Sequence, residues 1–188
     1  MIQVEPCIIP QQDSLMIVRR LKSLGFRTVG AELNDNFTEF VKAANSEGLN
    51  VFRRVSLRSS TDISVAGLRE SVESKRIPKL LAVDIEEGID LLNQLSPNQA
   101  LKIMAIEVSF SQLRELFNKD AYVTFKSLSK IISAAKLKKI PILYASYAKR
   151  ASELVAPPAY DQIFEMTYGK IPLDVRRVLQ KLSEEYTV

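Results

Sequence analysis

Residues 139–150 read KIPILYASYAKR, and the fold turns on how they are read. Ile140, Ile142, Leu143 and Tyr144 form an apolar run too short for a stable helix. It follows a helix-like segment that ends in the basic cluster Lys136, Lys138 and Lys139. A helix leading through a proline turn into a buried strand is half of a repeating αβ unit. After the strand come small residues and then charge, Ala145-Ser146 and Lys149-Arg150. In parallel α/β proteins the ends of strands commonly carry function. The plainer reading is a core strand leaving into a solvated surface segment.

Working outward, the same alternation runs along the chain. Strands are expected at 2–5, 28–33, 49–57, 79–84, 102–108 and 140–144, with Pro6 to Gln12 as the first exit loop. The first helix is expected to turn Leu15, Val18 and Leu21 inward. The second opens on Asn36 with Glu39 three residues on, a capping-box pattern, and faces inward with Phe37, Phe40, Val41 and Ala44. Asp62 reads as the cap of a short helix carrying Ile63, Ala66 and Leu68, and Thr124 as the cap of a longer one after a loop at 118–124. Gly25, Gly48 and Gly169 stand where helices stop. A final amphipathic helix follows Pro172. Six strands alternating with helices give a parallel α/β sheet, open or curled into a barrel, and the pattern does not choose between them.

A chain of 188 residues, 46% apolar and 26% charged, matches one globular domain spanning residues 1–188. It has no apolar run near the roughly 20 residues of a membrane span, and MIQVEPCIIP lacks the form of a secretory signal. Cys7 is the one cysteine, which fits a reducing cytoplasm and a buried, inert thiol. The net charge of +4 favours an acidic partner only weakly. There is no histidine, which removes the commonest general base and metal ligand together. No dinucleotide, phosphate-loop, zinc-protease or serine-hydrolase motif is present.

Two constellations remain. Glu5, Glu32, Asp84 and Glu107 stand at strand exits, where convergence would give a magnesium site and a protein-only phosphoesterase. The basic residues Arg53, Arg54, Arg58, Lys75, Arg76, Lys149 and Arg150 stand at strand ends or beside them, where several cations held together would bind an RNA backbone. Tyr147 and Tyr160 are stacking candidates. Arg53 and Arg54 are adjacent in a strand whose two faces are normally covered, so either the strand ends early and they sit at its mouth, or one reaches a groove or a counter-ion.

Three segments carry a resemblance: LLAVD at 80–84, MAIEVSFSQL at 104–113, and IPILYASYAKRASELVAPPAYDQI at 140–163. In order and spacing the chain resembles the p30 protein subunit of ribonuclease P, component 3 in archaea. Ser146 and Ala148 match that family's Ser-Gly-Ala turn, with Tyr147 in place of the glycine. The resemblance implies a TIM-barrel-like (β/α) barrel, reduced or irregular at this length, similar to PHP-type phosphoesterases without their catalytic histidines. It further implies a noncatalytic, cytoplasmic RNA-binding and assembly subunit. Its partners would be ribonuclease P RNA, precursor tRNA in the holoenzyme, and a Pop5-like subunit (component 2) in a heterotetramer. The protein itself would hold no cofactor, and Mg2+ would act through the RNA. On this reading the seven basic residues are the expected RNA contacts, chosen for charge and position. Phe110, Phe117 and Tyr122 are the expected partner surface, as aromatic anchors near a loop.

Overall fold

The computed structural model describes residues 3–11, 13–56, 63–67, 77–86 and 88–186. Seven strands, β1 (Val4–Ile8), β2 (Thr28–Glu32), β3 (Asn50–Ser56), β4 (Ile63–Gly67), β5 (Leu80–Val83), β6 (Ala105–Ser109) and β7 (Ile142–Ala145), lie in sequential order in one sheet. Register is parallel from β1 to β2 to β3 and from β4 to β5 to β6. Past β7 the chain returns to β1. Ile8 bridges Ala148 in parallel, and the Ile9 amide donates to the Ala148 carbonyl at 2.9 Å. Seven parallel strands alternating with helices and brought nearly to closure at β1 define a reduced TIM-barrel-like α/β fold.

The chain divides into two compact units: Met1–Val55 with Ala145–Val188, and Ser56–Tyr144. The first unit holds α1 (Ser14–Ser23) and α2 (Phe37–Ser46), and near the C-terminus α7 (Pro157–Tyr168) and α8 (Leu173–Glu185). On α1 the buried stripe is Ser14, Ile17, Val18 and Leu21, an i, i+3, i+4, i+7 series. Leu15, expected inward, is 42% exposed because it falls outside that stripe. On α2, Phe37, Phe40 and Ala44 are buried as expected. The Asn36 side chain makes no capping bond; its amide instead donates to the Pro10 carbonyl at 3.5 Å. The three glycines read as helix stops all have positive φ, where a Cβ would be strained.

The second unit holds α3 (Gly88–Gln94), the single turn α4 (Pro97–Ala100), α5 (Phe110–Lys119) and α6 (Ala121–Leu137). Its core is built from Leu80, Leu81, Ile106, Val108, Ile131 and Leu143, all fully buried.

Three boundaries differ from the sequence expectations. Residues 63–67 form strand β4 where a helix was expected, and Val65 pairs with Leu80 of β5. Ile63 and Val65 are β-branched and Gly67 is a poor helix former, so tertiary pairing decides a five-residue segment of weak helical preference. Helix α6 begins at Ala121, capped by the Asp120 carboxylate accepting from the Val123 amide at 3.0 Å. Asp120 is the stronger cap; Thr124 sits inside the first turn, with its hydroxyl donating back to the Asp120 carbonyl. Strand β1 runs on through Pro6 to Ile8, with its pairing to β2 shifted between Glu5 and Ile8. The irregularity accommodates a residue that cannot donate to a ladder.

Candidate nucleic-acid interface

The exits of β1, β3 and β7 in the first unit enclose a buried polar cluster. Glu5, in the middle of the fully buried strand β1, has no exposed surface. One carboxylate oxygen accepts from the Cys7 amide at 3.1 Å and the Ser146 amide at 3.0 Å. The other accepts from the Tyr160 hydroxyl at 2.6 Å. The Ser146 hydroxyl donates to the Cys7 carbonyl at 3.1 Å, so β1 and the β7 exit are tied by both backbone and side chain. Burial pushes the Glu5 carboxyl from its ordinary 4.5 up to about 7, against the lowering effect of hydrogen bonds from Tyr160, Ser146 and Cys7. Burial, with the Glu5 carboxylate next in effect, pushes the Tyr160 phenol well above its ordinary value. These contacts with Cys7, Ser146 and Tyr160 are internal, and Glu5 acts as a lock between chain segments.

The adjacent arginines divide as strand geometry requires. Arg53 is half-buried and Arg54 is 1% exposed. The Arg54 guanidinium donates to the Pro6 carbonyl at 2.7 Å and to the Tyr147 hydroxyl at 3.4 Å, and lies 5.6 Å from the Tyr147 ring centroid. That moves Arg54 from the surface, where the sequence placed it, into the interior, because a carbonyl and an aromatic face replace its hydration. Tyr160 is likewise 1% exposed and offers no face for stacking. Tyr147 is half-buried under Arg54.

Tyr147 has φ 53°, the left-handed region. This is the position where a glycine would be unstrained. Both Tyr147→Gly and Tyr147→Ala remove the ring from Arg54, but only glycine relieves the backbone. The glycine variant should therefore be the more stable of the two by about 1 kcal/mol in urea unfolding. Equal stabilities would show that the strain is not there.

Lys149 and Arg150 are exposed immediately beyond this cluster. Both of their amides donate to one Glu153 carboxylate oxygen, at 2.7 and 3.2 Å, which fixes the turn that presents them. They line a groove of about 600 Å³ with Gln11, Asp13 and Asn36. Arg58, Lys75 and Arg76 lie outside the described residues.

Glu32 is half-buried, 3.8 Å from the Cys7 sulfur, and Cys7 itself is fully buried, as expected of an inert thiol. In the second unit Glu107 is buried, while Asp84 is exposed and accepts from the Gln112 side-chain amide and the Glu86 amide. Among the described residues no group of three or more histidine, cysteine, aspartate or glutamate side chains is placed to hold a metal ion.

Of the expected partner-surface aromatics, Phe110 is half-buried with its ring edge-on to Tyr144 at 6.2 Å. Phe117 and Tyr122 are 38% and 76% exposed, near exposed Val123 and Phe125. Glu5, Ser146 and Tyr160 were not legible as a cluster from the sequence. Their partners are 141 and 155 residues apart, and no local period connects them.

The fold places the chain among reduced TIM-barrel-like α/β proteins, and its own β7 exit carries the basic turn Lys149-Arg150. No protein-family model and no curated protein matches the sequence. Among solved structures the chain is similar to a chain in the cryo-EM structure of archaeal ribonuclease P with mature tRNA. The identity is 17% and the TM-score 0.58, over 97% of this chain and 96% of the other. At that identity the likeness is one of fold. Among the described residues no helix is long and apolar enough to cross a membrane.

Proposed function

We propose that this chain is a noncatalytic RNA-binding and assembly subunit of ribonuclease P, supporting RNA-catalysed removal of the 5′ leader from precursor tRNA. The observation that carries this reading is the end-to-end likeness of fold to a chain of archaeal ribonuclease P, 97% of one chain on 96% of the other. The chemistry of the strand exits supports a binding role: there is no histidine, and the buried Glu5 is engaged by Tyr160 and two backbone amides. The catalytic magnesium belongs to the RNA on this reading, and the protein neutralises phosphates. The proposed contacts are Lys149 and Arg150, with Arg53, Arg58, Lys75 and Arg76 as further candidates. Arg54 positions Tyr147 and the β1 exit from inside. Phe117 and Tyr122 are the proposed anchors for a Pop5-like partner, since both are exposed.

Reconstituted cleavage of precursor tRNA tests the reading. Adding this chain and its partner subunit to the RNA should raise cleavage, and binding to the RNA should weaken steeply with salt. Removing each phosphate contact should lower the slope of log affinity against log salt by roughly 0.7–0.9. Salt-insensitive or absent binding with the partner present would overturn it. So would magnesium-dependent cleavage by RNA-free protein that is lost in Asp84→Asn and Glu107→Gln, which would make the chain a phosphoesterase.

A further inference from the structure

The groove beside the β7 exit has a chemistry more particular than a basic patch. Gln11 follows β1, Asn36 opens α2 after β2, and Lys149 and Arg150 follow β7. All four line one space of about 600 Å³, with Asp13 and Met16 among the other lining residues. A space of that size suits a small organic group, whereas a duplex is recognised across an open face. The lining brings two cations, two side-chain amides and a carboxylate together, so the groove can meet a phosphate and a hydrogen-bonding edge at once. Met16, 64% exposed, supplies a polarisable apolar surface of the kind a base can lie on.

The groove is also held in shape before anything binds. Glu153 fixes the Lys149-Arg150 turn through both amides. Ala148 is bridged to Ile8, and the Ile9 amide donates to its carbonyl. Before α2 the Asn34 side-chain amide donates to the Pro10 carbonyl at 2.9 Å, and its oxygen accepts from the Asn36 backbone amide at 3.0 Å. Preorganised walls lower the ordering cost of binding.

We propose that this groove seats one unpaired RNA nucleotide. Its phosphodiester lies against Lys149 and Arg150, and its base or ribose edge meets Gln11, Asp13 and Asn36. The inference rests on the RNA-binding reading above and narrows it to single-stranded substrate at a named place. Amide side chains pair with base edges through a donor and an acceptor at fixed spacing, and single-stranded RNA presents such edges unstacked.

Fluorescence anisotropy on the full-length protein tests it, with a short single-stranded RNA, a blunt RNA duplex of equal length, and ribonuclease P RNA. The single strand should bind more tightly than the duplex. Gln11→Ala with Asn36→Ala should weaken the single strand about five- to tenfold, with the salt slope unchanged. Lys149→Ala with Arg150→Ala should weaken it and lower the slope by about 0.7, the signature of one phosphate on a single strand. Because Asn36 also holds the Pro10 carbonyl, Met16→Glu serves as a second variant. It is an exposed rim change that should leave Tm unaltered and repel the strand. Equal affinity for strand and duplex, or wild-type strand affinity in the folded Gln11/Asn36 and Met16 variants, overturns the groove proposal. If ribonuclease P RNA still binds with steep salt dependence in that case, the subunit reading stands. If wild-type protein with its partner binds no RNA at all, that reading fails as well.

Discussion

Replacing Glu5 by glutamine should flatten the dependence of stability on pH between about 4.5 and 7. The Glu5 carboxyl is raised from its ordinary 4.5 to about 7 by burial in β1. The folded protein therefore keeps a proton that the unfolded chain releases. The associated stabilisation is complete below pH 4.5, declines as the pH rises, and is lost above about 7. At about 1.4 kcal/mol per decade of affinity, the difference across that window is roughly 3 kcal/mol. For a chain of this length, that corresponds to about 6–12 °C in Tm. Glutamine keeps the shape of the site. Its oxygen accepts from the Cys7 and Ser146 amides, and its amide group donates to the Tyr160 hydroxyl. Thermal unfolding of both proteins over a pH series isolates the effect, since every other titrating group is common to the two. Parallel curves of Tm against pH would rule out a protonated Glu5 in the folded protein.

Gly30→Ala should cost about 3 kcal/mol, large for the addition of one methyl group. A Cβ at Gly30 would overlap the Pro6 carbonyl oxygen and come within 2.5 Å of Cζ of Phe52. Neither neighbour yields easily. Phe52 is fully buried, and the Pro6 carbonyl is the acceptor for Arg54 at 2.7 Å. Displacing that carbonyl would weaken the hold on a buried guanidinium as well as crowd the ring. Chemical denaturation would show a lower midpoint, and wild-type stability in this variant would mean that the β1–β2 approach is looser than the structure has it. The same change at exposed Gly25, which has φ 88° and no neighbour within 4 Å of a built Cβ, tests backbone strain alone and should cost less.

Both effects lie at positions that the sequence presents as unremarkable. Gly30 reads as one small residue in a strand, yet it is where two neighbouring groups approach the backbone. Glu5 reads as a strand-exit carboxylate available for chemistry, but it is enclosed by a serine and a tyrosine that lie far along the chain. Arg54 was legible as a problem, because a charged pair in an inner strand needs an explanation. The solution, a proline carbonyl in β1 and a tyrosine after β7, was not. Lys149 and Arg150 were legible both as residues and as a place, because a strand that ends in small residues and then charge has few other places to put the charge.

The sequence by itself determined the α/β alternation, the inward turn of Phe37, Phe40 and Ala44 on α2, the final helix after Pro172, the three glycine stops, and the absence of histidine. Each of these depends on spacing of a few residues or on composition, and local periods carry that information. Tertiary structure alone decided that residues 63–67 pair as β4, that β1 continues through Pro6, and that the chain after β7 returns to β1. It also decided which polar groups are internal ties and which remain at the surface. Those outcomes depend on hydrogen bonds between residues up to 155 positions apart, whose partners are chosen by packing.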